Sequence, residues 1–286
     1  MGVPYAEVIG DPVAHSKSPL IHKFWLGKLG LDYDYRATRV PAGQLAACLE
    51  VRRQDPQWCG CSLTLPHKLE AAQRVDQMSE RARFVGAVNC IVRKGRAGAL
   101  AGHNTDVAGF IAPLLPWLDK PRMRLAYVVG TGGAAAAVSV ALDRQGFVIV
   151  SIGRDRAKAL ALRHRLQLLD DHLAADLAPY ARRPVEGDRG ERTDQLVLLV
   201  NATPLGMSGY PPLPFDLEYF PPDALVYDLV YNPPETPLLK AARERGMVTM
   251  GGLDMLVPQA AEAFELLFGT AAPRQHDSEL RELLTR

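Results

Sequence analysis

Residues 125–135 read LAYVVGTGGAA, an apolar run leading into a glycine turn and then an alanine-rich segment. A GxGxxA frame falls on Gly130, Gly132 and Ala135. Between a strand and a helix each small residue has a mechanical reason: Gly130 makes the tight turn, Gly132 lets backbone approach a pyrophosphate, and Ala135 permits close helix packing. The helix N-terminus adds unpaired N–H groups and a positive dipole that suit phosphate oxygens. A glycine turn by itself is weak evidence, since many strand-to-helix turns contain one, so its surroundings decide the reading.

Those surroundings alternate β-branched runs with helix-length segments. After the turn the pattern predicts a helix over 134–145, a strand over 148–152, a helix over 156–168, strands over 196–202 and 225–230, and helices over 238–245 and 254–268. Before it come strands over 6–9, 33–40 and 61–65 with helices over 18–29 and 42–53 between them, which makes a first βαβαβ stretch. A short helix over 79–85, a strand pair over 89–93 and 99–102, and a helix over 105–117 follow. Strands alternating with helices in this way argue for parallel sheets and an α/β fold class. No repeat with a period of 20–50 residues is visible.

The chain has 286 residues, about the size at which one hydrophobic core stops growing, so two domains are expected. The boundary is expected near Asp106, with the segment after Gly252 crossing back to the first domain. Thirty-three Lys and Arg residues against 32 Asp and Glu leave a net charge of +1, which gives no electrostatic footprint for nucleic acid or an anionic membrane. The longest apolar runs, such as 196–200, are far shorter than a membrane helix, and residues 1–12 do not resemble a leader, so a cytoplasmic protein is expected. Cys48, Cys59, Cys61 and Cys90 read as reduced packing residues, Cys59 and Cys61 sharing one face of a strand. No metal site is expected. Segment 182–194, RRPVEGDRGERTD, is charged and poor in apolar residues and reads as a solvated loop.

About twenty residues beyond the glycine turn, an NAD site would place a carboxylate at the tip of the second strand. Residues 152–158 read IGRDRAK instead. Arg154 with Lys158 suits a 2′-phosphate and favours NADP. Asp155 has two readings: an N-cap for the next helix, or a charge that repels the extra phosphate and moves the preference toward NAD.

Polar residues also gather in the first half. GDPVAHSKSP over 10–19 places the hydroxyls of Ser16 and Ser18 on a turn entering a helix, where they suit a carboxylate ligand; Ser18 before Pro19 also reads as the helix N-cap. SLTLPHK over 62–68 runs a strand into a proline and then Lys68, which on its own reads as a surface lysine. GAVN over 86–89 and HNTD over 103–106 put Asn89 and Asp106 at element ends, as hinge or ligand positions would.

Together with GTGGA, NATPLGM, YDLVYNPPETPLL and GLDMLVPQA, these motifs occur in an order that resembles the shikimate dehydrogenase family over nearly the whole chain. The resemblance implies a substrate-binding α/β domain over 1–106 with 254–286, and a Rossmann-like dinucleotide-binding domain with a parallel sheet over 107–253. It implies Lys68 as the catalytic residue with Asp106 as its partner, and Ser16, Ser18, Thr64, Asn89, Asp106, Tyr231 and Gln259 around the substrate. Cofactor contacts fall on Gly130, Thr131, Gly132, Gly133, Ala134, Arg154, Lys158, Leu229 and Gly252. The implied activity is NADP-dependent reduction of 3-dehydroshikimate to shikimate, a step toward chorismate and the aromatic amino acids, in a monomer or homodimer. The departures are Gly153-Arg154-Asp155 where the family often has Asn-Arg-Thr, Ser62 where many members have Asn, and a longer 182–194 segment. The alternatives are an NAD(P)-dependent quinate/shikimate dehydrogenase and, from another class, a dinucleotide-binding regulator without turnover.

Overall fold

The computed structural model describes residues 2–119, 123–168, 172–181 and 195–285; the 182–194 segment expected as a solvated loop lies outside them. The chain forms two compact units, Met1–Gly109 with Val257–Arg286, and Phe110–Leu256.

In the first unit the order is β1 (Tyr5–Gly10), α1 (Ser18–Leu29), β2 (Asp34–Arg39), α2 (Leu45–Gln54), β3 (Trp58–Leu63), α3 (Lys68–Ala71), β4 (Gln77–Met78), α4 (Glu80–Val85), β5 (Cys90–Lys94), β6 (Ala99–His103) and the start of α5 (Asp106–Ile111). Its sheet runs β2-β1-β3-β5-β6-β4. β1 pairs in parallel with β2 and β3, as the βαβαβ pattern requires, while β3, β5 and β6 pair antiparallel. The two faces of β1 feed different cores. Tyr5 and Ile9 pack with Leu45, Leu49, Trp58 and Leu63, and Ala6 and Val8 pack with Tyr35, Cys90 and Leu267.

The second unit contains the rest of α5, a 3-10 turn over Ala112–Trp117, β7 (Met123–Val129), α6 (Gly133–Asp143), β8 (Phe147–Gly153), α7 (Arg156–Leu166), β9 (Leu173–Asp176), β10 (Gln195–Asn201), β11 (Leu225–Asp228), α8 (Pro237–Glu244), β12 (Val248–Met250) and the first turn of α9 (Gly252–Phe268). The remainder of α9 and α10 (Asp277–Thr285) belong to the first unit. The second sheet runs β12-β11-β10-β7-β8-β9, and every pairing in it is parallel. Counted from β7 as strand one, that order is the doubly wound 6-5-4-1-2-3, whose direction reverses between β7 and β10. Ligands of such sheets bind beyond the carboxyl ends of the strands at that reversal.

Several predicted elements shift for local reasons. The helix over 105–117 stops being α-helical at Ile111, because Pro113 and Pro116 lack the N–H that a further α turn needs. The helix over 42–53 begins at Leu45, since Gly43 is left-handed at φ +80° and Gln44 N–H closes a turn on Pro41 O. The strand over 61–65 ends at Leu63, where the chain turns so that His67 N–H donates to Thr64 O. β4, β9 and β12 are too short to give a clear alternation.

The shared face expected for Cys59 and Cys61 is corrected by a bulge. Tyr5 pairs with Trp58 while Ala6 pairs with Gly60, so Cys59 is an extra residue and the alternation slips by one. Cys61 packs with Tyr5 and Ile9, and Cys59 packs against the opposite core. Gly60 makes the bulge possible: its φ is +149°, and a Cβ there would lie 2.1 Å from Ile91 O. Gly60→Ala is therefore expected to lower the unfolding free energy by about 2 kcal/mol or more. Urea denaturation measures this, and a loss below about 0.5 kcal/mol would contradict the steric argument.

Candidate active site

Lys68 is placed by backbone contacts on three sides. Thr64 N–H donates to Ile9 O, and Gly10 lets the two loops close, because a Cβ at Gly10 would lie 2.2 Å from the Thr64 methyl. The buried His67 ring lies 2.7 Å from Val40 O through Nε2, and Val88 N–H donates to Lys68 O. With its main chain held this way, Lys68 directs Nζ at Asp106 Oδ2 across 2.7 Å. The Lys68 side chain retains 17% of its exposure and that of Asp106 retains 0%. The Lys68 side chain thus keeps some access to solvent, whereas that of Asp106 has none.

Asn89 holds the other side of that carboxylate. Its Nδ2 donates to Asp106 Oδ1 at 2.8 Å and to Thr105 Oγ1 at 2.9 Å, with Gln259 Oε1 at 3.3 Å, and its Oδ1 accepts from Thr105 N at 2.7 Å. Asn104 Nδ2 donates to Ala87 O, which ties the same two loops a second time. Arg81 Nη1 reaches Asn104 O at 3.2 Å and Glu262 Oε1 at 2.6 Å, so α4, the Asn104 loop and α9 are joined beside Gln259. A fully buried carboxylate costs several kcal/mol unless it is paired and hydrogen-bonded; here one oxygen takes a cation and the other takes an amide.

Ser16 and Ser18 stand at the entry to α1. Ser18 is the first helical residue rather than the cap: Lys17 occupies the N-cap position, no side chain caps the helix, and Ser16 Oγ accepts from Ser18 N–H at 3.3 Å. The N-cap reading of Ser18 is thereby corrected, because the turn at 13–16 puts the neighbouring hydroxyl, not its own, beside the first free N–H. The first unit thus carries Ser16, Ser18, Thr64, Lys68, Asn89, Asp106 and Gln259, whereas Tyr231 belongs to the second.

In the second unit the glycine turn has the shape its sequence suggests. Gly130 has φ +128°, donates its N–H to Ile152 O at 2.8 Å, and would bring a Cβ to 2.8 Å from Ala202 O. Gly132 is the N-cap of α6 with no side-chain cap, and a Cβ there would meet nothing within 4 Å, which leaves open space beside Gly132 at the helix N-terminus. Thr131 packs its methyl toward Gly153, and Ala135 is fully buried. Arg154 and Lys158 are exposed and make no ion pair among the described residues. Asp155 caps α7, its Oδ1 accepting from Ala157 N–H at 2.8 Å. Leu229 N–H donates to Asn201 O, and Gly252 is packed so tightly on Leu229 that a Cβ would lie 2.4 Å from Leu229 O.

A cluster that no single-residue reading singles out lies at the ends of β10 and β11. Asn201 and Asp228 are register partners, and Asn201 Nδ2 donates to Asp228 Oδ1 at 2.9 Å. Val230 N–H donates to the same oxygen and Thr236 Oγ1 to the other, at 3.0 and 2.6 Å. Burial pushes the Asp228 carboxyl up to about 6 against those three hydrogen bonds. The available signal is a polar residue closing each of two apolar strands inside NATPLGM and YDLVYNPPETPLL.

A doubly wound parallel sheet with an open glycine turn at its reversal point in the second unit, and a Lys–Asp pair in the first, define a two-unit, dinucleotide-dependent oxidoreductase. Residues 8–91 match the model of the shikimate dehydrogenase substrate binding domain, and residues 252–277 that of the shikimate 5′-dehydrogenase C-terminal domain. Shikimate dehydrogenase (NADP(+)) of Sphingopyxis alaskensis is 50% identical over 98% of this chain and 97% of its own. The Thermus thermophilus shikimate 5-dehydrogenase solved with NADP(H) and shikimate is 34% identical, with a TM-score of 0.80 over 98% and 99% of the two chains. Quinate dehydrogenase of Corynebacterium glutamicum solved with NAD is 29% identical, with a TM-score of 0.81 over 98% and 99%. The chain belongs to the shikimate dehydrogenase family.

Asn89→Ala leaves Thr105 N–H and one oxygen of the buried Asp106 without their partner. It is expected to lower the unfolding free energy by about 2 kcal/mol, and a urea midpoint equal to that of the wild type would refute the role given to the amide.

Proposed function

We propose that the protein is an NADP-dependent shikimate dehydrogenase that reversibly reduces the 3-keto group of 3-dehydroshikimate to shikimate, with Lys68 and Asp106 as its reaction centre. The observation that carries the reading is the 2.7 Å contact between Nζ of the partly exposed Lys68 side chain and the buried Asp106 carboxylate. The 50% identity to a protein named shikimate dehydrogenase (NADP(+)) supports the same activity.

The residues present fit the cofactor. Space over Gly132 and the uncapped N-terminus of α6 suits a pyrophosphate, Gly130 makes the turn while Thr131 to Ala134 supply backbone N–H groups, and the exposed Arg154 and Lys158, without an ion pair among the described residues, suit a 2′-phosphate. Asp155 caps α7 through Oδ1, the first of its two readings. Leu229 and Gly252 complete the set. When bound there, NADPH would supply the hydride that reduces the carbonyl carbon.

The chain's own groups then account for the rest. Negative charge develops on the carbonyl oxygen, and the Lys68 ammonium stabilises it and gives up a proton from Nζ. Asp106 fixes the ammonium by accepting one of its hydrogens, and Asn89 prevents the carboxylate from turning away. In the reverse direction Lys68 takes the proton of the substrate hydroxyl. Ser16, Ser18, Thr64 and Gln259 offer hydroxyl and amide groups to the carboxylate and ring hydroxyls of the substrate, and Tyr231 is the further substrate residue that the resemblance implies. We infer a cytoplasmic enzyme acting as a monomer or homodimer on a small-molecule substrate without nucleic acid or membrane. No helix among the described residues is long and apolar enough to cross a membrane.

Purified protein assayed with shikimate and quinate against NADP and NAD, by absorbance of the reduced nicotinamide, tests the proposal. Shikimate with NADP is expected to give the highest kcat/KM. A higher value for quinate with NAD would give first place to a quinate dehydrogenase, and no turnover with any pair to a non-catalytic dinucleotide binder. Lys68→Ala is expected to lower kcat by about 10²–10⁴-fold with only a small change in the KM for shikimate. A near-normal kcat in that variant would refute the role.

A further inference from the structure

Asp228 is fully buried, and each of the groups that bonds its side chain is a donor: Asn201 Nδ2, Val230 N–H and the Thr236 hydroxyl. A carboxylate has acceptor sites for all three at once, whereas an amide of the same shape has only one oxygen. The three donors come from different places. Asn201 closes β10, Val230 lies in the loop after β11, and Thr236 caps α8 through Leu239 N–H at 3.3 Å. Asn201 also organises the neighbouring loop, since its Nδ2 donates to Leu205 O, and its Oδ1 accepts from Thr203 N and Oγ1.

Both loops bear on the dinucleotide site. Ala202 and Thr203 form the wall against which Gly130 turns, the Ala202 oxygen and Thr203 methyl being among the nearest atoms to a Cβ at that glycine. Leu229 follows Asp228 directly, and Gly252 rests on Leu229 and Val230, with its N–H on Val230 O at 3.2 Å. The loops are joined again where Ser208 N–H donates to Asn232 O at 2.9 Å. Asn201 ends the strand beside the sheet reversal, where a ligand of this fold binds.

We propose that Asp228 is a positioning residue for the nicotinamide cofactor, holding through Asn201, Val230 and Thr236 the two loops that shape the Gly130 turn and the Leu229–Gly252 contact. The inference deepens the proposed activity and rests on it. Stability by itself does not call for the charge. The carboxyl titrates near 6 rather than at the ordinary 3.8, so folding favours its neutral form. The stabilisation from this group is present below the ordinary value and lost as pH rises through about 6. At pH 8 the ionised group is held against that preference, in a place where its three acceptor contacts set loop geometry.

The test compares wild type, Asp228→Asn and Thr236→Val at pH 8 by NADPH fluorescence titration, steady-state kinetics and thermal unfolding. Asp228→Asn is expected to weaken NADPH binding tenfold or more, and to raise the KM for NADP by a similar factor. The KM for shikimate should change by less than twofold and Tm by no more than a few degrees. Thr236→Val, which removes one donor and keeps the side-chain volume, should weaken NADPH binding about threefold and serves if the first variant does not fold. A large fall in Tm with an unchanged NADPH Kd would mark Asp228 as structural and overturn the inference. If wild type binds NADPH and both variants bind it within twofold of wild type, the inference fails and the proposed activity stands. If wild type itself does not bind NADPH, both fail.

Discussion

A carboxylate with no access to water opens α5 in the first unit, and much of that unit can be understood as what Asp106 requires. Leaving its charge unpaired would cost several kcal/mol, a large part of the stability of a domain. Lys68 meets one oxygen and Asn89 the other. Bringing those partners together needs the turn after β3, the start of β5, the end of β6 and the amide of Gln259 from α9. The bulge at Gly60, the missing side chain of Gly10 and the His67 contact to Val40 are the local devices that let those chain ends meet. The same pairing that makes the burial tolerable also fixes the direction of the Lys68 ammonium, the group to which the proposed mechanism assigns proton transfer.

The second unit solves a related problem differently. Asp228 is held by three neutral donors, and its burial outweighs them enough to push its titration up to about 6. Asp106 is paired with an ammonium, whereas Asp228 accepts from two neutral side chains and one backbone N–H. Asp228 closes the parallel strand β11, and the lysine that Asp106 holds lies on the turn beyond β3, which pairs in parallel with β1. The carboxyl ends of such strands are where open α/β sheets carry ligand groups.

What the sequence makes legible follows from range. The strand, the glycine turn and the α6 helix lie within some twenty residues, so periodicity and small residues reveal them directly. Lys68 and Asp106 stand 38 positions apart, and alone each reads as an ordinary surface or element-end residue. Their pairing is accessible through the ordered motifs, not through spacing. Contacts between more distant positions, such as Asn89 with Gln259 at 170 apart and Arg81 with Glu262 at 181, leave no periodic trace. The bulge that separates the faces of Cys59 and Cys61 depends on a neighbour strand, as does the Asn201–Asp228 pair. Ser18 has the composition of a cap, a hydroxyl before proline, while the turn geometry gives its N–H to Ser16.

The most direct test of the Lys68–Asp106 centre is a double-mutant cycle on kcat with Lys68→Ala, Asp106→Asn and both together. Groups that act as one unit in the transition state are not additive. The double variant is therefore expected to lose about as much kcat as the worse of the two single variants. A loss equal to the product of the two single effects would mean that the residues act independently, and would contradict a reaction centre built on their contact.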